Sequence, residues 1–118
     1  MKIYCDGSTT RACVVVEGRP PKIIAYDEKV TSNTGEYLAI IEALKEAKRL
    51  DLQEVEILTD SLLIVRQFYG DYACRKKHLQ ALLKQVDELV HKPGWEVKWI
   101  PREENPAGKL LELEVKAK

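Results

Sequence analysis

Three acidic residues stand at points in the sequence where their carboxylates could act together. Asp6 follows the apolar stretch IYC, Asp60 follows EVEILT, and Glu36 lies near the start of a stretch with helical periodicity. Carboxylate oxygens without a nearby histidine or cysteine ligand are the donors that Mg²⁺ and Mn²⁺ prefer. Such an ion keeps coordination positions for water and phosphate, so this set of acids indicates phosphoryl transfer.

Each of these acids also has an ordinary structural explanation. Asp60 could cap a helix that begins after it, Glu36 could interact with a helix dipole, and Asp6 could stabilise the turn at Gly7. All three acids would then have to fall at one edge of the structure by coincidence. We therefore favour the metal site over the three separate explanations.

The first three predicted elements are strands. Residues 2–6 alternate in polarity and end in the turn signal DGS, and two β-rich runs follow, ACVVVEG and KIIAYDEKV, joined by GRPP. This spacing predicts a hairpin meander of three antiparallel strands.

The pattern then becomes helical, from Asn33 onward. An apolar stripe recurs with a period typical of an α-helix, and the charged residues between its members indicate a solvated face. The stripe contains Tyr37, Ile40, Ile41, Leu44 and Ala47, and the charged face contains Glu42, Lys45, Glu46, Lys48 and Arg49.

The second half of the chain predicts two more strands and three helices. EVEILTD and WEVKWI read as strands, while a short helix runs through Gln67 and KKHLQALLKQVDELV forms an amphipathic helix. A last helix begins with Asn105 as its cap and Pro106 at its first position. The order of elements predicts an α/β domain with a mixed sheet.

The topology of such a sheet would bring two of the acids together. A strand, a helix and a further strand in one sheet almost always form a right-handed parallel crossover. The first strand and EVEILTD can therefore lie side by side, which places Asp6 and Asp60 at the same edge, where α/β sheets bind ligands. Glu36, in the first turn of the helix, could reach that edge as well.

Composition limits the class of protein. The chain has 118 residues, 45% of them hydrophobic, and a formal net charge of zero, so we expect one domain over residues 1–118 and no global attraction to polyanions. The longest apolar run, ACVVV, is too short to span a membrane, and the sequence start does not resemble a signal peptide, so we expect a cytoplasmic protein. Cys5 and Cys13, in neighbouring strands, could face each other, but buried thiols are the simpler expectation.

Four segments resemble the signature blocks of the type-1 ribonuclease H family, in order and in spacing. They are IYCDGS, NTGEYLAIIEAL, LTDSLLIVRQ and WIPREENPAGKLL, and together they cover nearly the whole chain. The resemblance implies a five-stranded mixed sheet, with three antiparallel N-terminal strands plus two parallel ones, flanked by helices on both faces. It also implies hydrolysis of the RNA strand of RNA/DNA hybrids with two Mg²⁺ ions, or Mn²⁺ in their place, and no organic cofactor.

The resemblance assigns roles to individual residues. Asp6 would bridge both metal ions, and Glu36 and Asp60 would hold the ion that activates the attacking water. Contacts with the hybrid are expected along the same face and at the basic cluster CRKKH, although these residues could equally be ordinary surface side chains. The candidate substrate-binding residues are Asn33, Ser61, Gln67, Arg75, Lys76 and Lys77.

The sequence departs from the family at one metal-binding position. Relatives carry a fourth carboxylate, an aspartate, in the first turn of the last helix, and Gly108 stands at that position here. Glu112, one turn later, is a candidate substitute ligand, and Glu103 and Glu104 are others. The histidine that some relatives place before this helix is also absent, and His78 and His91 are expected at the surface.

Three hypotheses of function remain. The first is a metal-dependent endoribonuclease, weakened by the loss of one ligand. The second is a catalytically silent binding or structural module that keeps the fold, which Gly108 favours because a missing ligand removes charge stabilisation. The third is an integrase-like or junction-cutting enzyme on the same fold, which the four blocks argue against.

Overall fold

The computed structural model describes residues 1–90 and 94–116, and His91 lies outside these ranges. The strands are β1 (Lys2–Gly7), β2 (Arg11–Val16), β3 (Lys22–Ala25), β4 (Val55–Thr59) and β5 (Trp95–Trp99). The helices are α1 (Ser32–Arg49), α2 (Leu62–Phe68), α3 (Lys77–Leu89) and α4 (Pro106–Lys116), and a 3₁₀ turn, Arg102–Glu104, precedes α4.

The strands form one five-stranded sheet in the order β3-β2-β1-β4-β5. The first three strands pair antiparallel, whereas β1, β4 and β5 are parallel to one another. The predicted mixed sheet and parallel crossover are therefore confirmed. The third strand is shorter than the run KIIAYDEKV predicts, because it ends at Ala25 and the acidic residues Asp27 and Glu28 form a bend.

Helices cover both faces of the sheet, as predicted. The larger core lies between the sheet and the packed pair α1 and α3, and Tyr37, Ile40 and Leu44 of the α1 stripe are fully buried in it. On the other face α4 packs against β1 and β2 through Ala107 and Leu111. The apolar stripe read from the sequence for α1 therefore faces the core on one side of the sheet.

The two cysteines of the meander do not form a disulfide. Cys5 pairs with Val14 and Asp6 pairs with Cys13, so the two thiols are offset by one position in the register. Neighbouring positions point to opposite faces of a strand, and the thiols accordingly belong to the cores on opposite sides of the sheet. The expectation of buried thiols is confirmed.

One charged residue of α1 departs from the predicted solvated face. Glu46 is only 8% exposed, because the β2–β3 turn folds over the end of α1. Its carboxylate accepts hydrogen bonds from Lys22, at 2.9 Å, and from Arg49. These contacts lower the pKa of Glu46 and offset the cost of burying its charge.

Among the residues that the structure describes, no helix is both long enough and apolar enough to cross a membrane.

Candidate metal centre

The sheet register places two carboxylates side by side. In the parallel pair of β1 and β4, Tyr4 is the partner of Leu58, so the continuation of the register brings Asp6 level with Asp60. Glu36 approaches them from the first turns of α1. Carboxylate oxygens of these three residues lie within 4.8 Å of one another, which is close enough for one ion to contact all three.

Two glycines allow α1 to approach the end of β1 at backbone contact. A Cβ atom built on Gly7 would lie 2.0 Å from the carbonyl oxygen of Gly35, and one built on Gly35 would lie 2.0 Å from that of Ser8. No side chain fits at these distances. Glycine at both positions is therefore what lets Glu36, the residue after Gly35, reach the end of β1.

The Tyr26 hydroxyl supports the same junction. It donates a hydrogen bond of 3.1 Å to the carbonyl oxygen of Gly35. Tyr26 follows β3, so this bond ties the outer edge of the antiparallel meander to the first turn of α1. The position of Glu36 thus depends on contacts with β1 and with the segment that follows β3.

Asn105 connects α4 to the carboxylates. Its side chain is fully buried, and its Nδ2 atom donates to the carbonyl oxygen of Cys5 at 3.0 Å and to Asp60 Oδ2 at 2.9 Å. Its Oδ1 atom accepts from the backbone N–H of Ala107 at 3.1 Å, which is the predicted helix cap. One amide group therefore fixes β1, Asp60 and the start of α4 relative to one another.

Two of the three carboxylates have unsatisfied oxygen atoms. Asp6 Oδ1 and Glu36 Oε2 are buried and have no hydrogen-bond partner within the described part of the chain. Burial raises the pKa of Asp6 to about 6, and the nearby charge of Asp60 adds to the shift. Burial, followed by repulsion from Asp6, raises the pKa of Glu36 to about 9. The apo site therefore disfavours the fully ionised state, which a cation would favour.

This site should make the stability of the metal-free protein depend on pH. The folded-state pKa of Asp6 is raised from 3.8 to about 6, so the folded protein binds more protons than the unfolded chain between these values. The free energy of unfolding should then fall as pH rises from 4 through 6, by about 1–3 kcal/mol. Glu36, whose pKa is raised to about 9, extends this fall above pH 6. Saturating Mg²⁺ should reverse the slope because it binds the ionised form.

Thermal denaturation between pH 4.5 and pH 7.5, in EDTA and in Mg²⁺, measures this dependence. Glu46, whose pKa is lowered, affects stability in the opposite sense but only as pH falls below its usual value of 4.5. A melting temperature that rises with pH in EDTA over this range would contradict the expected repulsion.

The side of the site next to α4 carries a positively charged side chain, Arg102. Arg102, in the 3₁₀ turn, has its Nη1 atom 3.9 Å from Asp60 Oδ1 and donates from Nη2 to Glu112 Oε1 at 2.8 Å. Glu112 therefore contacts the arginine. Among the described residues, the acids close enough to share an ion are Asp6, Glu36 and Asp60, and Glu112 is not one of them. Its predicted role as a substitute ligand has no support from this geometry.

Gly108 faces the carboxylates directly. A Cβ atom built on this residue would lie 3.3 Å from Asp6 Oδ2 and 3.4 Å from Asp60 Oδ2. The first turn of α4 thus approaches the site at the residue singled out in the sequence, and no carboxylate comes from that position.

A cavity of about 470 Å³ opens at the carboxylates. Asp6 and Glu36 line it, as do Arg102 and Glu112 on the α4 side. The backbone at Gly7 and two hydroxyl side chains, Ser8 and Ser32, complete the lining together with Leu111. The cavity is large enough for a phosphate group and its neighbouring sugars to reach the acids.

The chemistry of the donors fits a hard divalent cation. All three converging groups are carboxylates, and two of their buried oxygens need a partner that the described part of the chain does not supply. Mg²⁺ and Mn²⁺ are bound in this way, by carboxylates with other positions open to water or phosphate. Asp6, Glu36 and Asp60 are therefore the residues that could hold such an ion.

The predicted substrate-binding residues differ in their surroundings. Two of them adjoin residues of the site in sequence, and a third makes its contacts within the protein. Asn33 is exposed and follows the cavity residue Ser32, and Ser61 follows Asp60. Gln67 bonds within the protein, because its Oε1 accepts from the Tyr37 hydroxyl at 2.5 Å and its Nε2 donates to the carbonyl oxygen of Ala73 at 3.3 Å. These contacts favour a structural role for Gln67.

The basic cluster lies at the start of α3. Residues 75–77 are exposed, and Lys77 begins α3, which packs against α1. His78 is exposed on α3, as expected. Sequence reasoning assigned no function to Gly35 or Arg102, and it read Asn105 only as a cap, because their contacts with the acids are made across the fold.

Comparison with known proteins identifies the family. Residues 11–111 match the model of a family described as reverse transcriptase-like, a range that contains Glu36, Asp60 and Gly108. The chain belongs to this family, within the ribonuclease H-like superfamily. The resemblance read from the four sequence blocks is confirmed at that level.

The chain is also similar to a mycobacterial protein and to two solved structures. The chain is 31% identical over 78 residues to Bifunctional protein Rv2228c of Mycobacterium tuberculosis, a match that covers 65% of this chain and 21% of the relative. The chain thus spans about a fifth of the length of that relative.

The structural matches cover the fold almost completely. RNase H1 of the halophilic archaeon Halobacterium salinarum NRC-1 superposes with a TM-score of 0.84 at 23% identity, over 99% of this chain and 98% of that one. LC11-RNase H1, solved in complex with an RNA/DNA hybrid, gives a TM-score of 0.77 at 28% identity, over 93% and 91% of the two chains. The five-stranded ribonuclease H-like fold is therefore confirmed.

Proposed function

We propose that this domain, residues 1–118, is a metal-dependent endoribonuclease that hydrolyses the RNA strand of RNA/DNA hybrids. The observation that carries the proposal is the convergence of three carboxylates within 4.8 Å of one another. Two of them, Asp6 and Glu36, line an open cavity and have buried oxygens without a partner in the described part of the chain. LC11-RNase H1, a relative with the same fold, was solved with such a hybrid, which supports this choice of substrate.

Asp6, Glu36 and Asp60 are the residues that would hold the ion, for which we propose Mg²⁺, with Mn²⁺ as the alternative. When bound, a divalent ion lowers the pKa of a water molecule and stabilises charge on the phosphate. Asn105 keeps Asp60 in place through its 2.9 Å hydrogen bond to Oδ2. The Gly7–Gly35 contact keeps Glu36 at the end of β1.

The reaction is a displacement at phosphorus. The oxygen of a water molecule forms a bond to phosphorus, and the bond from phosphorus to the 3′ oxygen of the preceding nucleotide breaks. The electron pair of that bond stays on the 3′ oxygen, which takes a proton from solvent, while the attacking water loses one. The products are a 5′-phosphate and a 3′-hydroxyl.

Recognition of the RNA strand would use the rim of the cavity. We propose that Asn33, exposed at the start of α1, and Ser61, beside Asp60, contact the hybrid near the cut site. The 2′-hydroxyl is the group that distinguishes RNA from DNA there. The exposed cluster Arg75, Lys76 and Lys77 would bind phosphates farther along the duplex.

The second candidate function is a module that binds hybrids without cutting them. One observation favours it, namely that α4 approaches the carboxylates at Gly108, a residue with no side chain to offer. A site with fewer ligands stabilises less negative charge in the transition state.

Cleavage of end-labelled substrates in Mg²⁺ and in Mn²⁺ tests the proposal. We expect cuts in the RNA strand of a hybrid, and none in duplex RNA, duplex DNA or a four-way DNA junction. Asp60→Asn should abolish the cuts, while Asp71→Asn, at an exposed carboxylate on the loop after α2, should not. Hybrid binding without cleavage in either metal would establish the second candidate instead.

A further inference from the structure

We infer that this centre binds one divalent ion between Asp6, Glu36 and Asp60, and that the Arg102 guanidinium supplies the positive charge on the α4 side. The inference rests on the proposed function for its role in catalysis. The number of bound ions, however, is a property of the protein alone. The resemblance implies two ions, and the side chains present do not fit a second one.

The acceptor atoms that need a cation come from β1 and from α1. Asp6 Oδ1 and Glu36 Oε2 are buried and have no hydrogen-bond partner among the described residues. Asp60, in contrast, is already engaged from the α4 side, since its Oδ2 accepts from Asn105 at 2.9 Å and its Oδ1 lies 3.9 Å from Arg102 Nη1. The need for positive charge is therefore concentrated between Asp6 and Glu36.

Among the described side chains, α4 adds no carboxylate to the set of acids close enough to share an ion, which is Asp6, Glu36 and Asp60. Gly108 faces Asp6 and Asp60 but ends at its Cα atom. Glu112 Oε1 accepts two hydrogen bonds from Arg102, one from Nη2 at 2.8 Å and one from Nε at 3.3 Å. The guanidinium therefore compensates the negative charge of Glu112. A second ion there would also be repelled by the guanidinium.

Arg102 has the chemistry to interact with a phosphate in this position. A guanidinium is permanently charged and presents donors in a plane that matches phosphate oxygens. Glu112 holds one edge of the group, and the Nη1 atom points toward Asp60 at the cavity that Arg102 lines. Arg102 would then donate hydrogen bonds to the phosphate or to the leaving 3′ oxygen, without transferring a proton.

Counting bound Mn²⁺ by calorimetry and by electron paramagnetic resonance of the free ion tests the first part. We expect one bound ion for the wild type and two for Gly108→Asp, which adds a carboxylate. Gly108→Asn adds an uncharged side chain of the same size as aspartate, so we expect it to bind one ion. Two bound ions in the wild type would overturn the inference. It would also be overturned if Gly108→Asp bound only one ion, the same number as Gly108→Asn. Circular dichroism tests whether each variant is folded. If Gly108→Asp or Gly108→Asn does not fold, Gly108→Ala is the smaller substitution to use.

The salt dependence of hybrid binding in EDTA tests the second part. Arg102→Gln should reduce the slope of log K against log salt concentration by about one, because one phosphate contact is lost. Arg102→Lys should retain the slope, and Arg19→Gln, in the turn after β2 at the far end of the sheet, should leave it unchanged. An unchanged slope in Arg102→Gln would refute the phosphate contact.

These measurements separate the two proposals. If the wild type cuts no hybrid but binds one Mn²⁺, the proposed function fails while the inference about the centre stands. If it cuts hybrids and binds two Mn²⁺ ions, the function stands and the inference fails.

Discussion

An Asp6→Asn variant should lose about 10³-fold or more of the hybrid-cleavage rate, and its metal-free form should be more stable than the metal-free wild type. The first effect follows from the position of the Asp6 carboxylate, which has an oxygen within 4.8 Å of a carboxylate oxygen of Glu36 and of Asp60. An amide carries no charge, so the variant binds a divalent ion much more weakly. Single-turnover cleavage in Mg²⁺ measures the loss.

The gain in stability has a separate cause. Asp6 is 4% exposed, and its burial beside Asp60 raises its pKa to about 6, so its ionised form destabilises the apo fold at neutral pH. The amide that replaces this carboxylate in the variant would find acceptors in the neighbouring carboxylates, including the unpartnered Glu36 Oε2. We expect the free energy of unfolding to rise by about 1–2 kcal/mol at pH 7.5 in EDTA.

Asp71→Asn is the matched control, because Asp71 is exposed and its carboxylate lies 3.8 Å from Arg66 on the surface. It should change stability by less than about 0.5 kcal/mol and leave cleavage intact. Urea denaturation in EDTA and in Mg²⁺ completes the comparison, since Mg²⁺ should stabilise the wild type and not Asp6→Asn. A destabilised apo Asp6→Asn would show that the site is not under electrostatic strain.

The sequence predicts those parts of the site that local patterns determine. Asp6 and Asp60 each follow a strand whose alternation or apolar run is visible in a few residues, and the right-handed crossover rule then brings the strand ends together. Glu36 lies in the first turns of a helix whose apolar stripe fixes which face meets the sheet. The cap at Asn105 is likewise a signal within a few residues.

Other parts of the site depend on contacts between distant residues, which no local pattern encodes. Asn105 reads as a helix cap, but its bond to Asp60 spans 45 residues. Arg102 reads as one charge in a charged loop, and only the fold places it between Asp60 and Glu112. Glu46 has the spacing of a solvated residue and is buried because Lys22, 24 residues earlier, folds over it.

Gly35 is the clearest example of a residue whose importance is visible only in three dimensions. In the sequence it is a glycine inside a helix, where alanine would be favoured by about 1 kcal/mol. In the structure it lies in backbone contact with the end of β1, where a Cβ atom would be 2.0 Å from the carbonyl oxygen of Ser8. Because backbone cannot move as a side chain can, the steric cost exceeds the gain in helix propensity.

Gly35→Ala should therefore lower the free energy of unfolding by about 3 kcal/mol or more. Urea denaturation measures the loss, with Gly18→Ala as the control. Gly18 has a φ of 80° but nothing within 4 Å of an added Cβ, so it should cost only about 1 kcal/mol. The substitution should also separate Glu36 from Asp6, so Mn²⁺ binding should weaken in Gly35→Ala and not in Gly18→Ala. Equal losses of stability in the two variants would mean that α1 can move away from β1 at little cost, and the contact could not then be what holds Glu36 in the site.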